Sequence, residues 1–237
     1  MSDKSLVDWT CEFIQDQQLH ALEHHLHEHQ SQALEFNEFS LNPLNLCLFQ
    51  NLPSGFFHTI LKYMPLEWLR RYDATGKHPF LVSISQNHAW QIQYYLDKGL
   101  SSNEHFNSVH HLYHTPLLNA IFFGHLNICK TLYAHGASLC VKTHTGLGPL
   151  ALAYRHSHSD IFQWLLSLPA DPFETVEAPH QEPISLLTYM EKTPLFGSTD
   201  YYQSYTQSLL SAQSAWMKRH LEMNLTNTDK ESGRKRL

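Results

Sequence analysis

The residues best suited to chemistry in this sequence are its 19 histidines, an unusually large number for a chain of 237 residues. Five of them fall within one short stretch: His20, His24, His25, His27 and His29. Two pairs among them are four residues apart, the spacing that puts two imidazoles on one helical face, where they could ligate a metal ion. Glu23 and Glu28 are interleaved with them, so a solvated helix face explains the same pattern. We therefore predict no metal site.

A nucleophilic cysteine beside a histidine is the second chemistry that the residue types allow. Cys47 and Cys140 are the candidates, but no segment around them resembles a cysteine-protease signature, and such signatures are specific to each family. The sequence also has no glycine-rich phosphate-binding loop. We expect no catalytic residues, no cofactor and no enzymatic activity. A buried polar pocket that joined a cysteine to a histidine would overturn this expectation.

Composition and charge exclude several kinds of partner. The formal net charge is −6, and the 16 lysines and arginines are scattered, without the basic stripe that nucleic-acid binding requires. No apolar run approaches the ~18–20 residues that span a bilayer, and the first residues lack the apolar core of a secretory signal. The 4 cysteines lie far apart, as in a reducing compartment. We expect a cytoplasmic monomer with no nucleic-acid partner and no membrane insertion.

Five prolines mark the elements that must position these side chains. They are Pro43, Pro79, Pro116, Pro149 and Pro183, with successive spacings of 36, 37, 33 and 34 residues. Proline fits the first turn of a helix, because the N–H that it lacks would be unpaired there. After the helix at most of these prolines, apolar residues at spacings of three and four predict a second helix, and Gly99 and Gly136 end two of these. The period predicts a chain of repeated helix pairs.

The segment from His114 to Pro172 carries the clearest copies of this pattern. Thr115-Pro116-Leu117 begins an apolar helix, Gly124-His125 breaks it, and Gly136-Ala137 ends the second helix. This order resembles the ankyrin repeat, whose units begin with a Thr-Pro-Leu turn and have a period of about 33 residues. The resemblance extends over residues 37–212 as about five units. It implies an all-α ankyrin-repeat solenoid between a helical cap at residues 1–36 and a C-terminal helix with a disordered polar tail at residues 213–237.

The resemblance also implies roles for individual positions. His88, His125 and His158 match the family's Gly-His step, which implies a structural role for them. Ankyrin proteins hold other proteins on the concave face of the stack and on its loop tips, through the turn before the proline and the end of the first helix. The matching positions here are Ala74, Thr75, Lys77, Ser85, Gln86, His111, Leu112, His114, Phe122, Phe123, His144, Thr145, Leu147, Arg155 and His156.

Phe122 and Phe123 are the most informative of these positions, because the family usually has small or polar residues there. Two aromatic side chains at a solvent-facing helix end would form an anchor, since interface hot spots favour aromatic residues. The alternative is that the long insert before His114 folds over them, because an uncovered aromatic pair is unusual. The sequence leaves both alternatives open.

Residues 52–70 resemble a different family as well. The stretch opens with Leu52-Pro53, continues through an apolar helix and resumes after Met64-Pro65. This order is similar to the F-box, which docks a ubiquitin-ligase adaptor, and it implies a substrate-adaptor function as the alternative. The same residues also fit the second helix of the unit at Pro43. The two interpretations differ in packing, because a repeat would bury Phe57, Ile60 and Leu61 against the next unit.

The composition and the C-terminal tail carry a further resemblance. Small degenerate ankyrin proteins that are rich in His, Gln and Asn, with a short polar tail ending in a hydrophobic residue, are similar to effectors that intracellular bacteria inject into host cells. The resemblance implies a location in the host cytosol and a translocation signal in residues 225–237. An ordinary disordered terminus is the alternative.

Overall fold

Most of the structure consists of consecutive helix pairs. The structure is a computed structural model, and it describes residues 5–35, 42–106, 115–168, 171–177, 182–193 and 199–234, with side chains to Met223. The pairs are α1 (Leu6–Gln15) with α2 (Leu19–His29), α3 (Pro43–Phe49) with α4 (Ser54–Tyr63), α5 (Pro79–Ser85) with α6 (Ala89–Asp97), α7 (Pro116–Phe123) with α8 (Leu126–Ala134), α9 (Pro149–Arg155) with α10 (Ser159–Ser167), and α11 (Leu186–Lys192) with α12 (Thr199–Arg234). Short 3-10 helices, Gln30–Leu34 and Leu66–Arg70, follow α2 and α4.

The helix starts follow the marker prolines. The first residues of α3, α5, α7 and α9 are Pro43, Pro79, Pro116 and Pro149, as predicted. In three of these helices the preceding side chain accepts a hydrogen bond from a backbone N–H of the first turn, and these capping residues are Asn42, His78 and Thr115. At the N-terminus, Ser5 and Asp8 form a reciprocal capping box that begins α1. Local sequence therefore fixes where these helices begin.

The helix pairs stack into two rows. The first helices are in contact in the order α1, α3, α5, α7, α9 and α11, while α8 lies between α6 and α10 in the second row, and α12 continues it. The N-terminal pair, expected to cap the array, joins both rows through contacts of α1 with α3 and of α2 with α4. This arrangement is the expected all-α solenoid, in which each unit contacts only its neighbours.

One apolar core runs through the stack. The side chains of Phe57, Phe80, Tyr95, Phe162 and Tyr154 are among the largest that are fully buried. The buried Tyr154 hydroxyl has a partner, because it lies 3.1 Å from the Thr193 carbonyl oxygen of the following unit. Burying such a hydroxyl without a hydrogen bond would cost free energy.

The turns before the prolines connect neighbouring units. Asp73 Oδ1 accepts hydrogen bonds from the backbone N–H groups of Thr75 at 2.8 Å and Lys77 at 3.1 Å. Its Oδ2 accepts one from Asn45 Nδ2 of the preceding unit at 2.7 Å. Gly76 has φ +71° in this turn, a left-handed conformation that glycine adopts without steric cost.

The start of α9 is capped from the next unit, because Gly148 has no side chain to cap it. The Glu174 carboxylate accepts hydrogen bonds from the backbone N–H groups of Leu150 at 3.0 Å and Ala151 at 2.9 Å. A Cβ at position 148 would lie 2.5 Å from the Glu174 carboxyl carbon, so glycine makes room for this carboxylate. Burial raises the pKa of Glu174, outweighing the opposite effect of the two amide hydrogen bonds.

The unit at Pro183 differs from the prediction of a helix at this proline, because no helix begins at the next residue, Ile184. Strand β2 (Ile184–Ser185) instead pairs antiparallel with β1 (Thr175–Val176), and α11 starts at Leu186. Ser185 ends the strand and caps the helix, since its hydroxyl accepts a hydrogen bond from the Thr188 N–H at 3.1 Å. Backbone pairing with the preceding segment therefore delays the helix by two residues.

The C-terminal region also differs from the prediction of a helix and a disordered polar tail at residues 213–237. A single helix, α12, runs continuously from Thr199 to Arg234. The reason is that residues 199–232 contain neither proline nor glycine, so no residue breaks the helix. Tyr205 and Leu209 bury its first part against the stack.

We expect Leu132→Ala to lower the free energy of unfolding by about 2–5 kcal/mol, because Leu132 is completely buried in α8 and the substitution leaves a cavity. Urea unfolding followed by circular dichroism measures the change. Lys130→Ala, on the exposed side of the same helix, is the matched control and should alter stability by less than about 0.5 kcal/mol. Equal effects of the two substitutions would show that this stripe does not form the core.

Candidate functional site

The predicted contact residues fall at opposite ends of the first helices. Lys77 and His144 lie on exposed turns before α5 and α9, whereas Gln86 and Arg155 lie at the C-terminal ends of the same helices. A seven-residue helix is about 10 Å long, so the predicted residues form two rows separated by roughly this distance. His111, Leu112 and His114 lie outside the described residues, as does most of the insert that was considered as a cover for the aromatic pair.

Most of the other predicted positions are accessible, with one exception. Ala74, Thr75 and Thr145 are exposed and Ser85 is half-buried. Leu147 was predicted to contact a partner, but only 5% of it is exposed. Its N–H donates a hydrogen bond to the Thr143 hydroxyl at 3.0 Å, which folds the turn and directs the leucine into the core. The prediction for Leu147 is therefore wrong.

Aromatic and imidazole rings form a cluster at the ends of α7 and α9, here called the helix-end cluster: Phe122, Phe123, His125, His156 and His158. The Phe122 ring centroid lies 4.9 Å from that of Phe123 and 4.7 Å from that of His156, both edge-to-face. The Phe123 ring is stacked on His125 at 6.0 Å. Phe123 is 41% exposed, while Phe122 is half-buried. Part of the Phe123 ring is therefore exposed to solvent, while the rings of Phe122 and His125 pack against it.

Two histidines of the cluster connect neighbouring units. A ring nitrogen of His125 lies 3.4 Å from the Ser85 carbonyl oxygen at the end of α5. The equivalent nitrogen of His158 lies 3.1 Å from the Phe122 carbonyl oxygen near the end of α7. These contacts align the ends of successive first helices, which confirms the structural role predicted for both histidines.

Gly124 leaves space for this arrangement. It has φ +78°, and a Cβ on it would lie 2.5 Å from the His158 ring. Both the left-handed backbone and the nearby imidazole therefore require glycine between the aromatic pair and α8. The aromatic pair stands directly before a turn whose geometry is tightly constrained.

His156 differs from the other histidines of the cluster. Its Nε2 is buried and has no hydrogen-bond partner in the described part of the chain. Burial lowers the pKa of His156, and the neighbouring His158 and Arg155 lower it further. The imidazole therefore favours its neutral form and packs as an aromatic ring. Beside it, Arg155 Nη1 donates a hydrogen bond to the Tyr189 hydroxyl at 3.2 Å.

The histidine-rich helix is only partly the solvated face that was predicted. His20 and His24 are exposed beside Glu23 and Glu28. His25 is buried, and its Nε2 lies 3.0 Å from the Leu6 carbonyl oxygen of α1. The prediction is wrong for His25, because its position three residues after Leu22 and next to Leu26 brings it to the face that packs on α1. No group of three His, Cys, Asp or Glu side chains within the described residues could hold a metal ion.

The cysteines divide by burial. Cys47 and Cys129 are buried in helices, and burial raises the pKa of both thiols. Burial also raises the pKa of Cys11 to about 11. A raised pKa disfavours the thiolate, which is the nucleophilic form. Cys140 is the exposed cysteine of the four.

The packing of α4 decides between the two interpretations of residues 52–70. Phe57, Ile60 and Leu61 are at most 5% exposed. The Phe57 ring lies 6.0 Å from the Trp90 ring of α6, and the Tyr94 hydroxyl of α6 is 3.4 Å from the Leu61 carbonyl oxygen. These three side chains are buried in the stack and are not available to an adaptor, so the structure does not support the F-box alternative.

The fold and the site together define a helix-pair solenoid with an exposed aromatic surface. Residues 80–175 match the family model for ankyrin repeats, in 3 copies. This segment of the chain therefore consists of ankyrin repeats. The matched segment covers α5 to α10, and stacking extends beyond it on both sides through α1–α4 and α11–α12. Within the described residues, no helix has the length and apolarity needed to cross a membrane.

We expect His156→Gln to weaken the dependence of stability on pH. In the wild type the folded chain holds the pKa of His156 below its ordinary value, so on acidification the unfolded chain takes up the proton first. The contribution of neutral His156 to stability is complete above the ordinary pKa and is lost as the pH falls toward the folded value. Melting temperatures of wild type and variant at pH of about 7.5 and about 5.5 test this.

The loss of melting temperature on acidification should be smaller in His156→Gln than in the wild type. His144→Gln, at an exposed histidine, is the matched control and should retain the wild-type loss. The same loss in all three proteins would contradict a role for His156 in this pH dependence.

Proposed function

We propose that this protein binds another protein through the C-terminal ends of its first helices, with Phe123 at the centre of the contact. The supporting observation is that a large apolar side chain is 41% exposed while rings of Phe122 and His125 hold it from behind. An aromatic side chain that is already ordered loses little conformational entropy when a partner covers it. Ankyrin repeats are in general protein–protein interaction modules, which agrees with this role.

The surroundings of Phe123 suit an interface with an apolar centre and a polar rim. Exposed Gln86 ends α5 on one side, and Arg155 and His156 end α9 on the other. The guanidinium of Arg155 is exposed, is oriented by the Tyr189 hydroxyl and adds a positive charge to this rim. A partner that fits this row presents an apolar side chain to Phe123 and polar or acidic groups to the rim.

We assign a secondary role in the same contact to the row of predicted residues on the turns before the first helices. Lys77 and His144 are exposed, and His111, Leu112 and His114 belong to this row by sequence. Lys77 Nζ lies 3.9 Å from the Phe49 ring centroid, a cation–π contact that holds the ammonium over the turn. Exposed charges of this kind affect the association rate and specificity more than affinity.

This interaction role requires no catalysis. Ankyrin repeats are typically non-enzymatic, and three of the four thiols are kept in the protonated form by their surroundings. We therefore propose a monomeric binding protein that acts by holding its partner.

The proposed site of action, a host cell cytosol, rests on the resemblance of composition and tail to injected effectors. An export assay that compares the full chain with a chain lacking residues 225–237 tests it. Loss of export on deletion, with unchanged partner binding, is the expected result. Equal export of both chains would remove the tail from the proposal.

We expect the double substitution Phe122→Ala and Phe123→Ala to weaken partner capture at least tenfold, about 1.4 kcal/mol or more, because interface aromatics carry much of the binding energy. Affinity capture with quantitative mass spectrometry compares the proteins retained by wild type and variant. A single Phe123→Ala variant separates binding from stability, since Phe122 is half-buried and packs against the stack.

Trp9→Ala is the matched control for this experiment. Trp9 has the same exposed fraction as Phe123, 41%, but lies on α1 at the far end of the array. Its removal should leave capture unchanged. If Phe123→Ala and Trp9→Ala retain partners equally well, the helix ends are not the binding surface.

A further inference from the structure

A pocket with a volume of about 320 Å³ lies between the α9–α10 unit and α12, where two extended segments, 139–142 and 171–175, complete its walls. It opens near the start of α9, at the opposite end of that helix from His156. Pockets that hold small molecules have volumes of about 300–1,000 Å³. Sequence patterns do not predict this pocket, because α12, which closes it, follows no repeat pattern.

The walls of the pocket are mostly apolar. They include Leu139, Val141, Leu165, Leu166, Phe173 and Trp216. The Phe173 and Trp216 rings meet edge-to-face with centroids 5.5 Å apart, and the Trp216 ring is stacked on His220 at 3.5 Å. Trp216 is therefore in contact with two other rings. An apolar chain or ring would lose water-exposed surface on entering this space.

Most of the charged groups that line the pocket are already engaged. The two oxygens of Glu174 accept the N–H groups of Leu150 and Ala151. Lys142 Nζ lies 2.7 Å from Glu177 Oε1. Asp171 Oδ1 turns back onto its own chain and accepts the Phe173 N–H at 2.9 Å. These groups therefore have little capacity left for a ligand.

Arg219 is the exception among the charged groups that line the pocket. It lies three residues after Trp216 on α12, on the same helical face. Its Nε is 3.4 Å from the Ala215 carbonyl oxygen, and no carboxylate of the described residues lies within ion-pair distance. The guanidinium thus stands beside an apolar pocket with its fork of donors available, a geometry that suits a carboxylate.

We propose that this pocket binds a small amphiphilic carboxylate, with its apolar part between Phe173 and Trp216 and its carboxylate on Arg219. The apolar walls supply the affinity, and the single available guanidinium selects an anionic head group over a neutral or cationic one. This site is separate from the helix-end cluster. The inference therefore does not depend on the proposed partner binding, and either can fail without the other.

Modification of Cys140 can measure occupancy of the pocket, because this residue lines the pocket and is the exposed cysteine of the four. The rate at which N-ethylmaleimide modifies Cys140, followed by mass spectrometry of the peptide, reports occupancy of the pocket. Decanoate should slow this reaction severalfold. Decan-1-ol should protect only at higher concentration, and decan-1-amine should protect least, because its ammonium faces Arg219.

Substitution of the guanidinium tests the head-group contact. Arg219→Gln should raise the apparent dissociation constant for decanoate by about threefold to tenfold and leave that for decan-1-ol unchanged. Arg219→Lys should restore part of the preference. Lys218→Gln removes a neighbouring cation of α12 that does not line the pocket, and it is the matched control that should behave as the wild type. Circular dichroism checks that each variant is folded.

Several results would overturn the proposal. Absence of protection by decanoate would mean that the pocket takes no such ligand and leaves a partner's apolar side chain as its occupant. Equal protection by the acid, alcohol and amine would reduce the effect to unspecific apolar partition. Equal effects of Arg219→Gln and Lys218→Gln would remove the specific role of Arg219.

Discussion

Stacking of one helix pair on the next is the constraint on which the rest of this structure depends. A pair such as α7 and α8 presents Ile128 and Leu132 on one side and cannot bury them by itself. Each interface between units therefore supplies stability to both of them, and the core grows as a sum of neighbouring contacts. This explains why α1 and α2, which lie outside the family match, adopt the same stacking. They have an apolar face that α3 and α4 cover.

Polar contacts give this apolar stacking its register. Apolar contact alone would tolerate a shift between units, since it has no preferred direction. Each of three polar contacts ties a defined atom to a defined neighbour. They join Asn45 to Asp73, the His158 ring to the Phe122 carbonyl oxygen, and the start of α9 to Glu174. The helix ends are brought into line as a result. Phe123 and His156, which come from different units, become parts of one surface for this reason.

The sequence was sufficient where local rules and tertiary packing agree. Proline at the first helical position, glycine with positive φ and apolar residues at helical spacing predicted the pairs α3 to α10 and the family. It was insufficient where a distant segment decides the outcome. Strand β2 forms because Thr175 and Val176 offer a backbone to pair with, and α12 stays continuous because nothing interrupts it. His25 and Leu147 were misjudged because residue type and family position do not reveal which way a side chain turns.

The direction of the contacts between units has a consequence for synthesis at the ribosome. The carbonyl group of Ser85 meets His125 40 residues later, the carbonyl group of Phe122 meets His158 36 residues later, and the N–H of Ala151 meets Glu174 23 residues later. Each partner is made after the group that it satisfies. At about 5–20 residues per second, a newly made unit waits roughly 1–8 s for the unit that completes it. The growing chain therefore always carries one unfinished surface, and that surface moves along the array with each new unit until α12 covers it.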